Sequence, residues 1–206
     1  MVRVKICGIT NIEDALLAVR YGADAIGFVF AESPRRITPQ AVASITKQLP
    51  PFVSKVGVFV DELRSIVHDI CEMCGLDTVQ LHGEESPEYA GSLKPAVIKS
   101  IRIKDEASLK AMQSYHASAY LLDTYDDALR GGTGRTFDWS LAKKAKKHGL
   151  VILSGGLTPE NVREAVEAVK PYAVDVSSGI EEKPGKKDEK KLKEFIKQAK
   201  CVGKDE

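Results

Sequence analysis

The chain has 206 residues, of which 43% are hydrophobic and 29% are charged, a composition typical of a globular protein. Its formal net charge of +1 gives no strong field that would favour a nucleic acid or a membrane surface, and no apolar stretch is long enough to cross a bilayer. No signal-peptide pattern precedes the first predicted strand. We therefore expect a cytoplasmic protein with a single domain over residues 1–206.

Short apolar segments alternate with helical segments along the whole chain. Strands are predicted at residues 2–7, 24–30, 53–60, 78–83, 96–101, 119–124, 151–153 and 173–176. Helices are predicted at residues 12–21, 38–49, 61–74, 87–93, 106–113, 138–148, 159–169 and 188–200. This alternation is typical of a parallel sheet wrapped by helices, and eight strand–helix pairs predict a closed (β/α)8 TIM barrel of the α/β class. An open doubly wound sheet is the alternative, although polar residues end the strands around the whole chain rather than at one switch point.

Small residues follow the seventh and eighth predicted strands. Ser154-Gly155-Gly156 leads to Thr158 and Pro159, which are typical of a helix start, and Ser177-Ser178-Gly179 follows the next strand. Glycines allow backbone N–H groups to approach a ligand closely. In a barrel these two loops are the usual phosphate site, so the paired turns favour a phosphate cradle over ordinary turns.

Polar side chains stand at the ends of several predicted strands. They are Cys7, His82, Asp123 and Asp175, with Gln80 nearby and Arg35 and Arg36 in the second loop. Because the carboxyl ends of barrel strands meet at one mouth, this set predicts acid–base chemistry on a phosphorylated, anionic small molecule. Each residue also has an ordinary alternative: a buried hydrophobic thiol, a turn-capping carboxylate or a solvated arginine.

Three other segments have less specific interpretations. Cys71 and Cys74 have C-x-x-C spacing, but they fall in a predicted helix and indicate buried thiols rather than a zinc or redox site. The lysine-rich residues 183–193 predict a solvated turn and helix face, although Lys186 or Lys187 could steer an anion. The glycine-containing residues 125–137 predict either a closing lid or a long surface loop.

Motifs along nearly the whole chain resemble those of the phosphoribosylanthranilate isomerases of tryptophan biosynthesis. They are residues 4–10, 22–30, 56–59, 79–83, 121–124, 131–139, 153–157 and 175–179. The resemblance implies a (β/α)8 fold and an Amadori rearrangement of an aminoaldose to an aminoketose. It implies no metal or redox cofactor, because the substrate itself forms the iminium that acidifies the C2 proton. Neither oligomeric state, monomer or homodimer, is favoured by the sequence.

The same resemblance assigns roles to individual residues. It implies that Asp123 is the general acid that opens the ribose ring and that Cys7 is the general base at C2. It also implies that Arg36 grips the anthranilate carboxylate, that Gln80 and Asp175 line the site, and that His82 lies nearby in a role left open. The phosphate would be held near Gly155, Gly156, Ser178 and Gly179. Because a base must be partly thiolate, we expect a lowered pKa for Cys7.

Two other functions fit the same fold and stay open at the level of sequence. One is an isomerase or epimerase of another phosphosugar, although a thiol rather than a carboxylate ends the first strand. The other is a barrel that binds a phosphorylated metabolite without catalysis, which the presence of both Cys7 and Asp123 disfavours.

Overall fold

Eight parallel strands alternate with helices along the chain and close into a barrel. The computed structural model describes residues 1–124 and 139–202. The strands pair in chain order, and the last strand pairs with the first. They are β1 (Arg3–Ile6), β2 (Ala25–Val29), β3 (Ser54–Phe59), β4 (Thr78–Leu81), β5 (Ala96–Ile103), β6 (Ala119–Thr124), β7 (Val151–Leu153) and β8 (Ala173–Val176). The predicted (β/α)8 TIM barrel is confirmed, and the open doubly wound sheet is excluded.

Helices follow the strands and cover the outside of the barrel. They are α1 (Ile12–Tyr21), α2 (Pro39–Thr46), α3 (Arg64–Cys74), α4 (Pro87–Gly91), α5 (Trp139–Ala145), α6 (Val162–Val169) and α7 (Glu189–Cys201). The segment predicted as the fifth helix is a 3-10 helix, Glu106–Ser114, which begins with a capping box between Asp105 and Ser108. In the ranges that the structure describes, no helix combines the length and the apolar character needed to span a membrane.

The start of α6 differs from the prediction. The sequence favours Thr158 as the N-cap and Pro159 as the first helical residue, but α6 begins at Val162. The Asn161 side chain accepts a hydrogen bond from the Thr158 N–H (2.8 Å) and donates one to the Gly156 carbonyl (2.9 Å). These bonds hold residues 158–161 as a separate turn, so the helix starts only after Asn161.

The barrel has two apolar regions, one inside and one outside its sheet. The interior cluster contains Val56, Ile98, Ala119, Leu121, Ile152 and Ala173. Strand neighbours of opposite orientation, such as Tyr120 and Leu122, pack in the larger cluster between the sheet and the helices. Because successive side chains of a strand point to opposite faces, every second strand residue faces the barrel axis. This alternation determines which polar side chains reach the mouth.

Candidate active site

A cavity of about 590 Å³ opens at the carboxyl ends of the strands. All the residues predicted for the site line this cavity: Cys7, Arg36, Gln80, Asp123, Gly155, Gly156, Asp175, Ser178 and Gly179. His82 and Ser154 line it as well. The structure therefore brings the predicted residues together at one mouth, while their individual roles stay predictions.

The alternation of the strands explains why these side chains converge. Asp123 lies two residues after the interior residue Leu121, and Asp175 lies two residues after the interior residue Ala173. Cys7 directly follows β1, and its side chain points to the same face of the sheet as the side chain of Lys5. Each of these polar side chains thus caps a column of interior residues at the mouth of the barrel.

The Cys7 thiol lies beside a buried ion pair. The Lys5 ammonium donates a hydrogen bond to Oδ1 of Asp175 at 2.8 Å, and the side chains of the two residues are 3% and 7% exposed. The Ser154 hydroxyl donates to the other carboxylate oxygen at 3.3 Å. Asp175 is therefore held from two sides, and it in turn holds Lys5 below the cavity floor.

The pKa of Cys7 is shifted opposite to the sequence expectation. Burial raises the pKa of the thiol, the positive charge of Lys5 opposes the rise, and the Asp175 carboxylate adds to it. The predicted lowering is therefore wrong, because the loss of hydration of a thiolate outweighs the attraction of the nearby cations. Burial alone would lower the pKa of Lys5, but the charges of Asp175 and Cys7 raise it, so Lys5 stays an ammonium.

Asp123 and His82 approach each other across the mouth. Nε2 of His82 lies 3.5 Å from Oδ2 of Asp123, and Nδ1 of His82 lies 3.0 Å from Nε2 of Gln80. With the Gln80 amide in this orientation, it donates to Nδ1, so a neutral His82 carries its proton on Nε2, which faces the carboxylate. Gln80 thus orients His82, and His82 faces Asp123 with a donor.

The two arginines of the loop after β2 have different environments. Arg36 is exposed at the rim of the cavity, where its guanidinium is accessible to an anion. Arg35 is half-buried and forms a bidentate pair with Glu181, with distances of 2.8 and 2.7 Å. This hydrogen bonding raises the pKa of Arg35. Arg36 is therefore available for a ligand, whereas Arg35 anchors the loop that presents it.

The two small-residue turns face each other at the mouth. Gly155 and Gly156 have φ values of 79° and 68°, the left-handed region in which successive N–H groups turn towards one side. Gly179 packs so closely against the Leu157 carbonyl that an added Cβ would overlap it. Only glycine therefore allows the two turns to approach, and their backbone forms one concave surface.

A short hairpin follows β8 and corrects one prediction. The hairpin consists of β9 (Glu181–Lys183) and β10 (Lys186–Lys187). The sequence predicted a solvated turn that includes Lys187, but Lys187 is only 3% exposed. Its ammonium donates to the carbonyls of Cys7 (2.6 Å) and Ser177 (3.2 Å) and to Glu181 (3.0 Å). Burial lowers the pKa of Lys187, and the Glu181 carboxylate opposes that shift.

Three remaining predictions concern features away from this cavity. The thiols of Cys71 and Cys74 are buried in α3, and burial raises the pKa of Cys71 to about 11. Among the described residues, no group of three or more His, Cys, Asp or Glu side chains is arranged to hold a metal ion. The glycine-containing loop at 125–137 lies outside the described residues.

The closed barrel and the polar cavity at its mouth are those of a (β/α)8-barrel enzyme. Residues 4–198 match the family model of N-(5'-phosphoribosyl)anthranilate isomerase. The chain belongs to the N-(5'-phosphoribosyl)anthranilate isomerase family.

Individual relatives agree with this assignment over nearly the full chain. The isomerase of Geobacter sulfurreducens is 56% identical over 201 residues, which cover 97% of this chain and 99% of the relative. The crystal structure of the Thermotoga maritima enzyme has a TM-score of 0.91 at 47% identity and covers 98% of this chain and 100% of that one. A complex of such an isomerase with reduced 1-(o-carboxyphenylamino)-1-deoxyribulose 5-phosphate has a TM-score of 0.88 at 46% identity, with the same coverage. The T. maritima enzyme is described as dimeric, and monomers have been generated from it.

Sequence reasoning missed three residues that shape the site. Lys5, Glu181 and Lys187 surround Cys7 or the loops beside it; Lys5 and Glu181 received no role from the sequence, and Lys187 was considered only as a residue that could steer an anion. A signal for Lys5 was present, because it lies two residues before Cys7 and therefore shares its face of the strand. No local pattern marks Glu181 or Lys187 as site residues, since they pair with each other in one hairpin and their other partners, Arg35 and the Cys7 carbonyl, lie in distant loops.

Proposed function

We propose that the chain converts N-(5-phosphoribosyl)anthranilate into 1-(2-carboxyphenylamino)-1-deoxyribulose 5-phosphate by acid–base catalysis. The observation that carries the proposal is that Cys7 and Asp123 line one cavity from strands that are not neighbours. A substrate between them has a thiol on one side and a carboxyl group on the other. The biosynthetic role implies a cytoplasmic location.

Asp123 supplies the proton for the first step. The furanose ring oxygen is a poor leaving group unless it is protonated, so ring opening needs an acid at that oxygen. In our proposal the Asp123 carboxylic acid donates this proton, the C1–O bond breaks, and the anilino nitrogen forms a C1=N iminium. His82 faces the carboxyl group at 3.5 Å and holds it in place. A positioned acid contributes roughly 10²–10⁴-fold.

Cys7 removes the proton for the second step. The iminium withdraws electrons from C2, so a thiolate of modest basicity suffices to take the C2 proton. The C2–H electron pair then forms the C1=C2 bond of an enolamine, and the iminium nitrogen becomes neutral. Tautomerisation adds a proton at C1 and releases one from the C2 hydroxyl, which leaves the ketone.

The remaining site residues bind the two charged ends of the substrate. The exposed Arg36 pairs with the anthranilate carboxylate at the rim. The backbone around Gly155, Gly156, Ser178 and Gly179 holds the phosphate in the concave surface between the two turns. Gln80 and Asp175 line the space between these ends. A related isomerase forms a complex with reduced 1-(o-carboxyphenylamino)-1-deoxyribulose 5-phosphate, which supports a ligand of this chemistry.

The test is turnover of freshly prepared phosphoribosylanthranilate, followed by the loss of its fluorescence. Wild type is compared with Cys7→Ser and Asp123→Asn, and each variant has a control elsewhere: Cys201→Ser in α7 and the exposed Asp69→Asn in α3. We expect rapid turnover in wild type and both controls, and a loss of at least roughly 100-fold in the two site variants.

Other outcomes would favour another function. No turnover in wild type, together with binding of a different phosphosugar, would favour an isomerase or epimerase of that sugar. Binding of phosphorylated metabolites without any turnover would favour a non-catalytic barrel. Turnover that survives Cys7→Ser would keep the reaction and remove Cys7 as its base.

The oligomeric state is part of the same proposal. A monomer and a homodimer both fit the site, because every residue assigned above belongs to one chain. The dimeric T. maritima relative favours the homodimer. Light scattering at the concentration of the activity assay distinguishes the two states.

A further inference from the structure

Lys5 and Cys7 border the same small space below the cavity. Lys5 lies in β1 and Cys7 directly follows this strand, two residues further on, so both side chains face the barrel axis. Gly27 of the neighbouring β2 lies opposite them. A Cβ added to Gly27 would lie 2.9 Å from the Cys7 sulfur and 3.1 Å from the Lys5 nitrogen. These contacts put the two atoms within the roughly 6 Å over which an opposite charge favours a thiolate.

Asp175 fixes the Lys5 ammonium in this position. The ion pair between Lys5 and Asp175 is buried, and Ser154 holds the second carboxylate oxygen. In the described part of the chain, the ammonium therefore has a partner in Asp175 on β8 and a potential second partner in Cys7. An ammonium held this way needs little reorganisation when a negative charge forms on the sulfur.

Cations and carboxylates from several elements surround Cys7. Within residues 1–124 and 139–202, the charged side chains that act on the thiol or its immediate neighbours are Lys5, Lys187, Arg35, Asp175 and Glu181. Three of these are cations and two are carboxylates. The Asp123–His82 pair faces the same cavity from β6 and the end of β4.

We propose that Lys5 is a positioning residue that stabilises the Cys7 thiolate, and that Asp175 holds its ammonium in place while competing with the sulfur for it. The inference rests on the proposed function, in which Cys7 is the base. Lys5 does not contact the substrate, since it lies below the residues that line the cavity. It acts through the sulfur.

The two partners of the ion pair have opposite effects on the thiol. The Lys5 charge lowers the pKa of Cys7, and the Asp175 charge raises it, against a background in which burial raises it. Removal of the Lys5 charge should therefore raise the pKa of Cys7, and removal of the Asp175 charge should lower it. A role limited to packing would not produce this opposition.

The test measures the thiol in the free enzyme, without substrate. Iodoacetamide alkylates thiolates, and mass spectrometry of the peptide that contains Cys7 separates its reaction from that of the other cysteines. The alkylation rate as a function of pH gives the apparent pKa of Cys7. We expect Lys5→Met to raise this pKa by about 1–3 units and Asp175→Asn to lower it by a similar amount.

A second buried lysine gives the matched control. Lys99 pairs with Glu85 at 2.8 Å on the outer face of β5 and is as buried as Lys5. Lys99→Met therefore removes a buried ion-paired ammonium without changing the charges beside Cys7. We expect the alkylation profile of Lys99→Met to match that of wild type.

Two results would overturn the proposal. The first is an alkylation profile of Lys5→Met that overlays the wild-type profile. The second applies even when Lys5→Met does not fold: it is an apparent pKa of Cys7 in the Asp175→Asn variant that equals or exceeds the wild-type value. Because the assay contains no substrate, opposite shifts in an enzyme that does not turn over phosphoribosylanthranilate would refute the proposed function and keep the role of Lys5.

Discussion

Arg35 and Glu181 form a bidentate ion pair although 146 residues separate them in the chain. The pair joins the loop after β2 to the hairpin after β8. Arg36, which we assign to the substrate carboxylate, is the next residue in that loop. The position of Arg36 therefore depends on a contact made by its neighbour, Arg35.

Replacement of Arg35 by lysine should weaken substrate binding through Arg36. Lysine keeps the charge but cannot make the planar bidentate contact with Glu181, so the loop is held less firmly. We expect Arg35→Lys to raise KM by roughly tenfold with a smaller change in kcat. Steady-state kinetics check this.

Two comparisons separate this effect from a general loss of structure. Arg163→Lys changes an exposed arginine that pairs with Glu167 on α6, and its kinetics should equal those of wild type. In an Arg36→Ala background, Arg35→Lys should add little, because the two residues act on one contact. A full additional rise in KM there would show that Arg35 acts by another route.

His82 should act on the position of Asp123 through its Nε2 atom. A glutamine amide reaches the position of Nε2, whereas an asparagine amide reaches only that of Nδ1. We expect His82→Asn, which removes the atom 3.5 Å from the Asp123 carboxyl group, to lower kcat by roughly 10-fold, and His82→Gln to retain more activity. Equal activity in both variants would contradict a role that depends on the Nε2 contact.

The ionisation of Cys7 should set the alkaline dependence of the reaction. Burial raises the pKa of this thiol above its ordinary value, so at neutral pH only a small fraction of the free enzyme carries the thiolate. Because the base form increases with pH, kcat/KM should rise from neutral pH towards pH 9.

A carboxylate in place of the thiol identifies the group responsible for this rise. Cys7→Asp should retain a low activity whose ascending limb lies at much lower pH, since a carboxylic acid ionises more easily than a thiol. An ascending limb that stays at the wild-type pH would assign it to another group.

Gly179 should be required for the close approach of the two small-residue turns, at residues 154–156 and 177–179, which we propose hold the phosphate. A methyl group at this position overlaps the Leu157 carbonyl, so Gly179→Ala forces the turns apart. We expect affinity for the product, and for inorganic phosphate as a competitor, to fall by roughly 10–100-fold as hydrogen bonds to the phosphate are lost. Gly91→Ala at the end of α4 is the control, because its added carbon meets nothing within 4 Å. Unchanged phosphate affinity in Gly179→Ala would place the phosphate elsewhere.

Lys187 should contribute strongly to stability. Its replacement by methionine removes one cation from the Glu181 carboxylate and one hydrogen-bond donor from each of two carbonyls. Breaking a buried ion pair in this way costs about 3–5 kcal/mol of unfolding free energy. Lys183→Met, in the exposed part of the same hairpin, should change it by less than about 0.5 kcal/mol. Denaturant unfolding of both variants gives the comparison, and similar midpoints would contradict a stabilising role for the buried lysine.

The strands and the mouth of the barrel were predictable because they depend on local alternation. Cys7, Gln80, Asp123 and Asp175 reach one cavity because each lies at the end of a short strand with the right orientation. Helix starts were less predictable where two polar residues compete. The Asn161 side chain bonds back to Thr158 and Gly156, so α6 begins later than the Thr-Pro pair indicates.

The charges around the site were not predictable, because they depend on contacts between distant loops. A lysine-rich stretch normally indicates a solvated surface. Lys187 is nevertheless buried, because Glu181 and two backbone carbonyls accept hydrogen bonds from its ammonium group. The direction of the pKa shift of Cys7 depends on how deeply the thiol is buried and on how close the charges of Lys5 and Asp175 lie to it. Neither is contained in the motif around Cys7.

The pairing of β8 with β1 also has a consequence for biosynthesis of the chain itself. The contacts of Lys5 with Asp175 and of Lys187 with Cys7 both cross this seam and span 170 and 180 residues. A ribosome-bound nascent chain thus carries Cys7 and Asp123 long before it carries the residues that complete their surroundings. The surroundings of Cys7 can therefore form only after β8 and the hairpin that follows it have emerged from the exit tunnel.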